Sequence, residues 1–271
     1  MSNDASAAAA GDLSPEHQDL AVRLWAARRD GGSVDPTGVT PPADKAAGYA
    51  VQAVVFAQSG EAVGGYKIGS SSKESQQKFG TDEPWVAAIP RSLVIEGPAT
   101  MTIDPAHTPA LEGEFAFRLG NDLPPRDEAY TLDEVKAAVD LVAGAIELVG
   151  TRYVGGLGGK VLPLLLADGG VNEGLVLGDA KAYSPEMDFR EQIVTMRVDG
   201  VEKGSGPGSR ALGDPLASLT WLANHLSRAG VGLNNGEWVS TGTCTGLDPM
   251  AVGETAVADF GDLGTVELTL K

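Results

Sequence analysis

The sequence predicts an α+β protein with a rolled β-sheet core and a small helical region in front of it. Three features carry this reading: two amphipathic stretches within residues 14–60, glycine- and proline-punctuated apolar runs from 61 to 271, and only two clear helical patterns inside that second part. A chain of 271 residues with 42% hydrophobic content can bury one large core. No repeat, heptad or Pro- or Ser-rich linker splits it. The expected layout is a disordered tail over residues 1–13, a helical region over 14–60 and a β-rich domain over 61–271. The tail is assigned because "MSNDASAAAAGDLS" has no basic start and its alanine run is too short for a signal or a membrane span.

Ser14 and Pro15 form a cap and first-turn pair for a helix through Leu20, Leu24 and Trp25, ending near Asp30-Gly31-Gly32. A second helix is expected to open at Thr40-Pro41 and to carry Tyr49, Val51, Val54 and Val55. Within the β-rich part, Thr131 and Glu134 make a capping box for "TLDEVKAAVDLV". The run "DPLASLTWLANHLSRAG" starts at Asp214-Pro215 and stops at Gly230. Strands fill the rest: Asp199-Gly200 marks a hairpin in "IVTMRVDGVEKG", and "AVADFGDLGTVELTL" alternates across two strands joined through residues 261–264.

A formal net charge of −17 argues against nucleic acid or anionic membrane as a partner, since both would be repelled. The lone Cys244 leaves no internal disulfide and no multi-cysteine zinc site, so a reducing, cytoplasmic setting is expected. No segment reaches the ~20 apolar residues of a membrane helix.

The segment "LEGEFAFRLGNDLP" sets two glutamates in an apolar run. On a strand, Glu112, Glu114, Ala116 and Arg118 share one face while Phe115, Phe117 and Leu119 share the other. The two carboxylates then lie ~7 Å apart. Either that face is solvated, with Arg118 or a lysine nearby, or something positive sits between them. Glu147 is the only acid in "AGAIELVGTRY", and such a group needs an arginine, for which Arg152 is a candidate, or a metal. Three carboxylates without a His or Cys cluster favour a hard ion, Mg²⁺ or Mn²⁺, over zinc. His17, His107 and His225 are scattered. Lys67 lies between Tyr66 and Ile68 in "GGYKIG". Burial there would lower its pKa and suit it to proton transfer, unless the side chain snorkels to water.

Five segments, "GGYKIGSSSKESQQKFGTDEP", "EGEFAFRLGNDLP", "AIELVGTRY", "LGDPLASLTWLAN" and "STGTCTGLDPMAVGETAVADFGDLGTVEL", come in the order and approximate spacing of the hydratase/decarboxylase family. Over residues 14–271 the chain resembles the 2-keto-4-pentenoate hydratases and 4-oxalocrotonate decarboxylases of the fumarylacetoacetase-like superfamily. The resemblance implies a rolled mixed sheet and a catalytic domain over residues 61–271. It implies Mg²⁺ or Mn²⁺ on Glu112, Glu114 and Glu147, and proton transfer by Lys67 with Asp82 next in line. Ser70, Asp168 and the Thr241-Gly242-Thr243 segment become the candidate substrate-binding positions. The implied substrate is a small 2-oxo or 2-hydroxy acid, and a homo-oligomer is expected, in complex with a pathway enzyme where one exists.

The sequence departs from the family at three places. An acidic-aromatic-glycine run after Pro84 is replaced by Trp85-Val86-Ala87, an Asp-Asn-Ala-Ser type run reads Asp168-Gly169-Gly170-Val171, and the tryptophan-containing segment after Arg152 is missing. An altered substrate pocket follows. The expected activity is hydration of a 2-hydroxy-2,4-dienoate; the alternatives are decarboxylation of a 4-oxalocrotonate-like diacid and a noncatalytic partner subunit. Hydrolytic carbon–carbon cleavage would need a His–Glu dyad on a short N-terminal helix, and His17 is followed by Gln18-Asp19-Leu20 instead.

Overall fold

The computed structural model describes residues 13–271, so the expected tail lies, but for Leu13, outside the described residues. Helix α1 (Pro15–Asp30) opens where Ser14 accepts a hydrogen bond from the His17 amide. It buries Leu20, Ala21, Leu24 and Ala27 in a cluster with Val51 and Val55 of α2 (Lys45–Ala57). The second helix begins later than Thr40-Pro41 predicts, because Asp44 takes the cap by accepting from the Ala47 amide at 2.9 Å. Pro42 explains the delay: a residue before proline is pushed out of the helical region, so Pro41 cannot start the helix.

The β-rich part follows as β1 (Val63–Gly69), α3 (Lys73–Phe79), β2 (Trp85–Pro90), β3 (Val94–Glu96), β4 (Ala99–Met101), β5 (Ala110–Leu119), α4 (Leu132–Ala138) and β6 (Val139–Val149). The Thr131–Glu134 capping box is present. Its helix nevertheless stops at Ala138, where the sequence pattern predicts helix through Val142. The long β5–β6 ladder claims the intervening residues, pairing Leu119 with Val139 and Phe117 with Val142. Tertiary pairing overrides local propensity there.

Then come α5 (Leu162–Ala167), β7 (Asn172–Leu177), β8 (Lys181–Ala182), β9 (Ile193–Val198), β10 (Val201–Pro207), α6 (Pro215–Arg228), β11 (Trp238–Thr243), β12 (Asp248–Pro249), β13 (Thr255–Asp259) and β14 (Thr265–Leu270). Asp199 and Gly200 turn the β9–β10 hairpin with φ of 48° and 77°, as the Asp-Gly pair predicts.

The main sheet runs β2-β1-β11-β5-β6-β7-β3, with β12 added to β5 and β8 to β6. The second runs β10-β9-β13-β14-β4. Both are mixed, with β1–β11, β3–β7 and β4–β14 parallel. Phe115 and Phe117 pack with Phe189, Phe260, Met196 and Leu268 in the main core. The opposite face of β5 carries Ala116, which joins Ile89, Ala145, Leu175 and Leu177 in a smaller apolar plug. Glu112 and Glu114 therefore share the inner face with that plug. Among the described residues no helix is long and apolar enough to cross a membrane.

Candidate active site

Across β5–β6 Glu112 lies directly opposite Glu147, and Glu114 is two residues further along the same face. Each of the three offers a carboxylate oxygen within 4.8 Å of the others. Lys67 joins them from β1, its Nζ 3.2 Å from Glu147 Oε1. Strands β11 and β5 lie between β1 and β6 in the sheet order, a gap of ~14 Å on a flat sheet, beyond a lysine's reach. The roll of the sheet makes the contact possible.

Two of the carboxylates are held in the same way, with one oxygen fixed by donors and the other left free. Glu114 Oε2 accepts from the Ser240 hydroxyl at 2.5 Å and the Gly242 amide at 2.8 Å. Glu147 Oε1 accepts from Lys67 and from Asn172 Nδ2 at 3.0 Å. Glu114 Oε1 and Glu147 Oε2 are buried without a partner among the described residues. Each such oxygen costs ~1–3 kcal/mol or more if nothing satisfies it. Two buried free oxygens beside a third, half-buried carboxylate make an all-oxygen donor set, which fits a hard divalent ion rather than zinc.

The electrostatics follow from three acids facing one ammonium. Burial, and then the charge of Glu147, pushes Glu112 up to about 8. Glu114 is raised well above the carboxylate range by burial, Glu147 and Glu112, despite its donors. Lys67 departs from the expectation of a lowered pKa. Burial works in that direction, but Glu147, Glu112 and Glu114 outweigh it and the ammonium is favoured. Glycines allow the close packing here. A Cβ on Gly242, at φ 109°, would fall 2.0 Å from Ser71 Oγ, and one on Gly170 would meet Ala87 Cβ at 2.9 Å and Lys67 Cε at 3.2 Å.

The other expected site residues lie elsewhere or are engaged. Arg152 is not the partner of Glu147; its Nε bonds Asp168 Oδ1 at 2.5 Å and its Nη1 pairs with Glu173 at 2.7 Å. Asp168 accepts from that arginine, the Arg152 amide and the Thr151 hydroxyl, so both of its oxygens are engaged within the protein. Asp82 is 96% exposed, 3.8 Å from Lys45, on the rim of an outer cleft with Tyr49 and Phe79. Ser70 bonds the Ser75 hydroxyl at 2.7 Å. The Thr241 and Thr243 hydroxyls donate to the carbonyls of Phe115 and Gly246, so within that segment only the Gly242 amide meets the carboxylates.

Two residues escaped the sequence reading. Ser240 directly precedes the expected Thr241-Gly242-Thr243 segment, a signal that was available, and it faces the carboxylates because it pairs with Ala116 ahead of a bulge in β11. Asn172 has no such signal. Trp85 pairs with Gly69 on β1, two residues after Lys67, which places its buried indole on the lysine's face.

Residues 60–271 match the Fumarylacetoacetate (FAA) hydrolase C-terminal family, and the chain belongs to it. It is 30% identical over 212 residues to a 2-hydroxyhexa-2,4-dienoate hydratase of Comamonas testosteroni, covering 78% of this chain and 79% of that one. It is 29% identical over 255 residues to a 2-keto-4-pentenoate hydratase of Paraburkholderia xenovorans (strain LB400), covering 93% of each. Among solved structures it superposes on 4-oxalocrotonate decarboxylase from Pseudomonas putida G7, complexed with magnesium and adipate, with a TM-score of 0.83 over 96% of this chain and 99% of that chain at 23% identity. That likeness establishes the fold: the rolled mixed sheet with a helical N-terminal region.

Proposed function

We propose that this protein is a metal-dependent lyase that hydrates a 2-hydroxy-2,4-dienoate to a 4-hydroxy-2-oxo acid. The observation that carries the reading is the convergence of Glu112, Glu114 and Glu147 on one point, with free buried oxygens and Lys67 beside them. Those three carboxylates would hold Mg²⁺ or Mn²⁺, which supplies a Lewis acid for the carboxylate and adjacent enol or keto oxygen of the substrate. Lys67 Nζ delivers the proton that the dienol takes up at C5 on ketonisation and recovers the one given up by the 2-hydroxyl; water then adds its oxygen at C4 of the enone and a proton at C3. Ser240, Gly242 and Asn172 hold the carboxylates in place. Asp82, 96% exposed and beside Lys45, is given no part in the proton chemistry in this reading.

Hydration is favoured over decarboxylation of a 4-oxalocrotonate-like diacid for two reasons. The curated relatives above are hydratases, and the arginines near the centre are already engaged: the buried Arg152 with Asp168 and Glu173, the half-buried Arg28 with the Asn172 carbonyl. A second substrate carboxylate buried on the Lys67 face would find Trp85 and Ala87, from the stretch where the family carries an acid, since Val86 pairs with Ile68 and faces the main core. We read residues 61–271 as the catalytic domain, 14–60 as the helical region bound to it, and the protein as a cytoplasmic homo-oligomer, to be checked by light scattering. A pathway enzyme bound to it would show as co-elution.

The deciding assay follows loss of dienol absorbance from 2-hydroxypenta-2,4-dienoate with Mg²⁺, alongside CO₂ release from 4-oxalocrotonate. Faster loss of the dienol is expected. Faster CO₂ release would favour the decarboxylase, and a flat trace on both would favour a noncatalytic subunit.

A further inference from the structure

Strand β7 enters the site irregularly. Its register against β6 pairs Gly174 with Leu148 but Asn172 with Val149, so Glu173 is an extra residue, a β-bulge. Leu175 is opposite Glu147 and packs into the inner plug. Asn172 lies an odd number of positions from Leu175 and in a regular strand would face away from it. The bulge re-aims it, and its Nδ2 donates to Glu147 Oε1 at 3.0 Å. The residues before it are also unusual. Gly169, Gly170 and Val171 have φ of 64°, 60° and 60°, and a β-branched residue in that region costs ~1–3 kcal/mol. The Asn172 carbonyl is held from outside by two guanidinium groups, Arg152 Nη1 at 3.1 Å and Arg28 Nη2 from α1.

We infer that Asn172 is a positioning residue for the metal centre, orienting Glu147 so that Oε2 is the oxygen presented to the ion, and that Arg28 of the N-terminal helix acts on the centre through it. The inference rests on the carboxylates' being a metal site. A strained turn, a bulge, the buried Arg152 and the half-buried Arg28 converge on one asparagine whose side chain has a single charged partner. With Oε1 fixed, Oε2 is the oxygen without a partner among the described residues. Helix α1 is thereby tied to the centre by two hydrogen bonds in series, Arg28 to the Asn172 backbone carbonyl and the Asn172 side-chain Nδ2 to Glu147.

The test is calorimetric titration of Mn²⁺ into the full chain, with wild type, Asn172→Ala, Arg28→Met, Arg28→Lys and the Asn172→Ala/Arg28→Met double variant, each with its metal-free melting temperature recorded. Loss of an outer hydrogen-bond partner of a metal ligand typically weakens metal affinity about 10- to 100-fold, and that is expected for Asn172→Ala. Arg28→Met should lose about 3- to 10-fold, with partial rescue by Arg28→Lys. The double variant should match Asn172→Ala alone, because Arg28 acts through the asparagine; a merely structural arginine would give additive losses. Additive losses, or wild-type affinity in Asn172→Ala, would overturn the inference while leaving the metal site standing. Wild type that takes up no Mn²⁺ would overturn the metal site, and this inference with it.

Discussion

Two clusters of buried charge meet at Asn172, and they are built on opposite terms. In one, Asp168 and Glu173 face Arg152, Arg28 and His107. Asp168 has donors on both oxygens, Glu173 Oε1 takes both Arg152 and His107, and His107 Nε2 ends on the Gly32 carbonyl. In the other, three carboxylates face Lys67 alone, and two of their oxygens have no partner among the described residues. The pKa directions follow the contrast. Burial works against ionisation of Glu173, but Arg152 and then His107 hold it down to about 2, whereas burial and like charge push Glu112 up to about 8. A closed cluster of this kind fixes the fold. An open one stays strained until a cation enters it.

The largest expected effect separates the two cations. Arg152→Met leaves Asp168 and Glu173 buried without their guanidinium and should cost about 3–5 kcal/mol in urea unfolding of the metal-free protein. Lys67→Met should cost far less stability, since its neighbours can take up protons, yet lower kcat about 10²- to 10⁴-fold. Equal destabilisation by both would erase the distinction between the clusters.

Next in size is the response to metal. Mn²⁺ at 100 times its dissociation constant should add about 2.7 kcal/mol to wild type and Asp82→Asn, and little to Glu147→Gln. Thermal melts with and without the ion read this directly.

The smallest effect is on pH dependence without metal. Glu112, raised from 4.5 to about 8, contributes stability that is complete below pH 4.5 and lost as pH rises through 8. Glu173, lowered from 4.5 to about 2, contributes stability that is present above pH 4.5 and lost as pH falls through 2. Glu112→Gln should therefore flatten the fall in melting temperature between pH 5 and 8. Glu173→Gln should leave that limb alone and lower the melting temperature across it.

The open cluster was the legible one. Carboxylates and a lysine inside apolar strand runs are costly enough to stand out, and period-two alternation put Glu112 and Glu114 on one face before any pairing was known. The closed cluster was hidden, because Glu173 and Asp168 reach Arg152 from a different strand and turn, contacts that no local pattern encodes. Asn172 was hidden more deeply, since its direction is set by a bulge that exists only against β6. The fold class was readable from helix caps and strand alternation. Its boundaries failed where pairing or proline outweighed propensity, at Val139–Val142 and at Pro41-Pro42.

Mn²⁺ calorimetry on wild type and Glu114→Gln tests the central claim most directly. Glu114 keeps one buried oxygen free while Ser240 and Gly242 fix the other, so the substitution removes a ligand and little else. One ion per wild-type chain is expected, with affinity about 100-fold or more lower in Glu114→Gln. Unchanged affinity in a folded Glu114→Gln protein, or no uptake by wild type, would contradict the assignment of this cluster as a divalent-cation site.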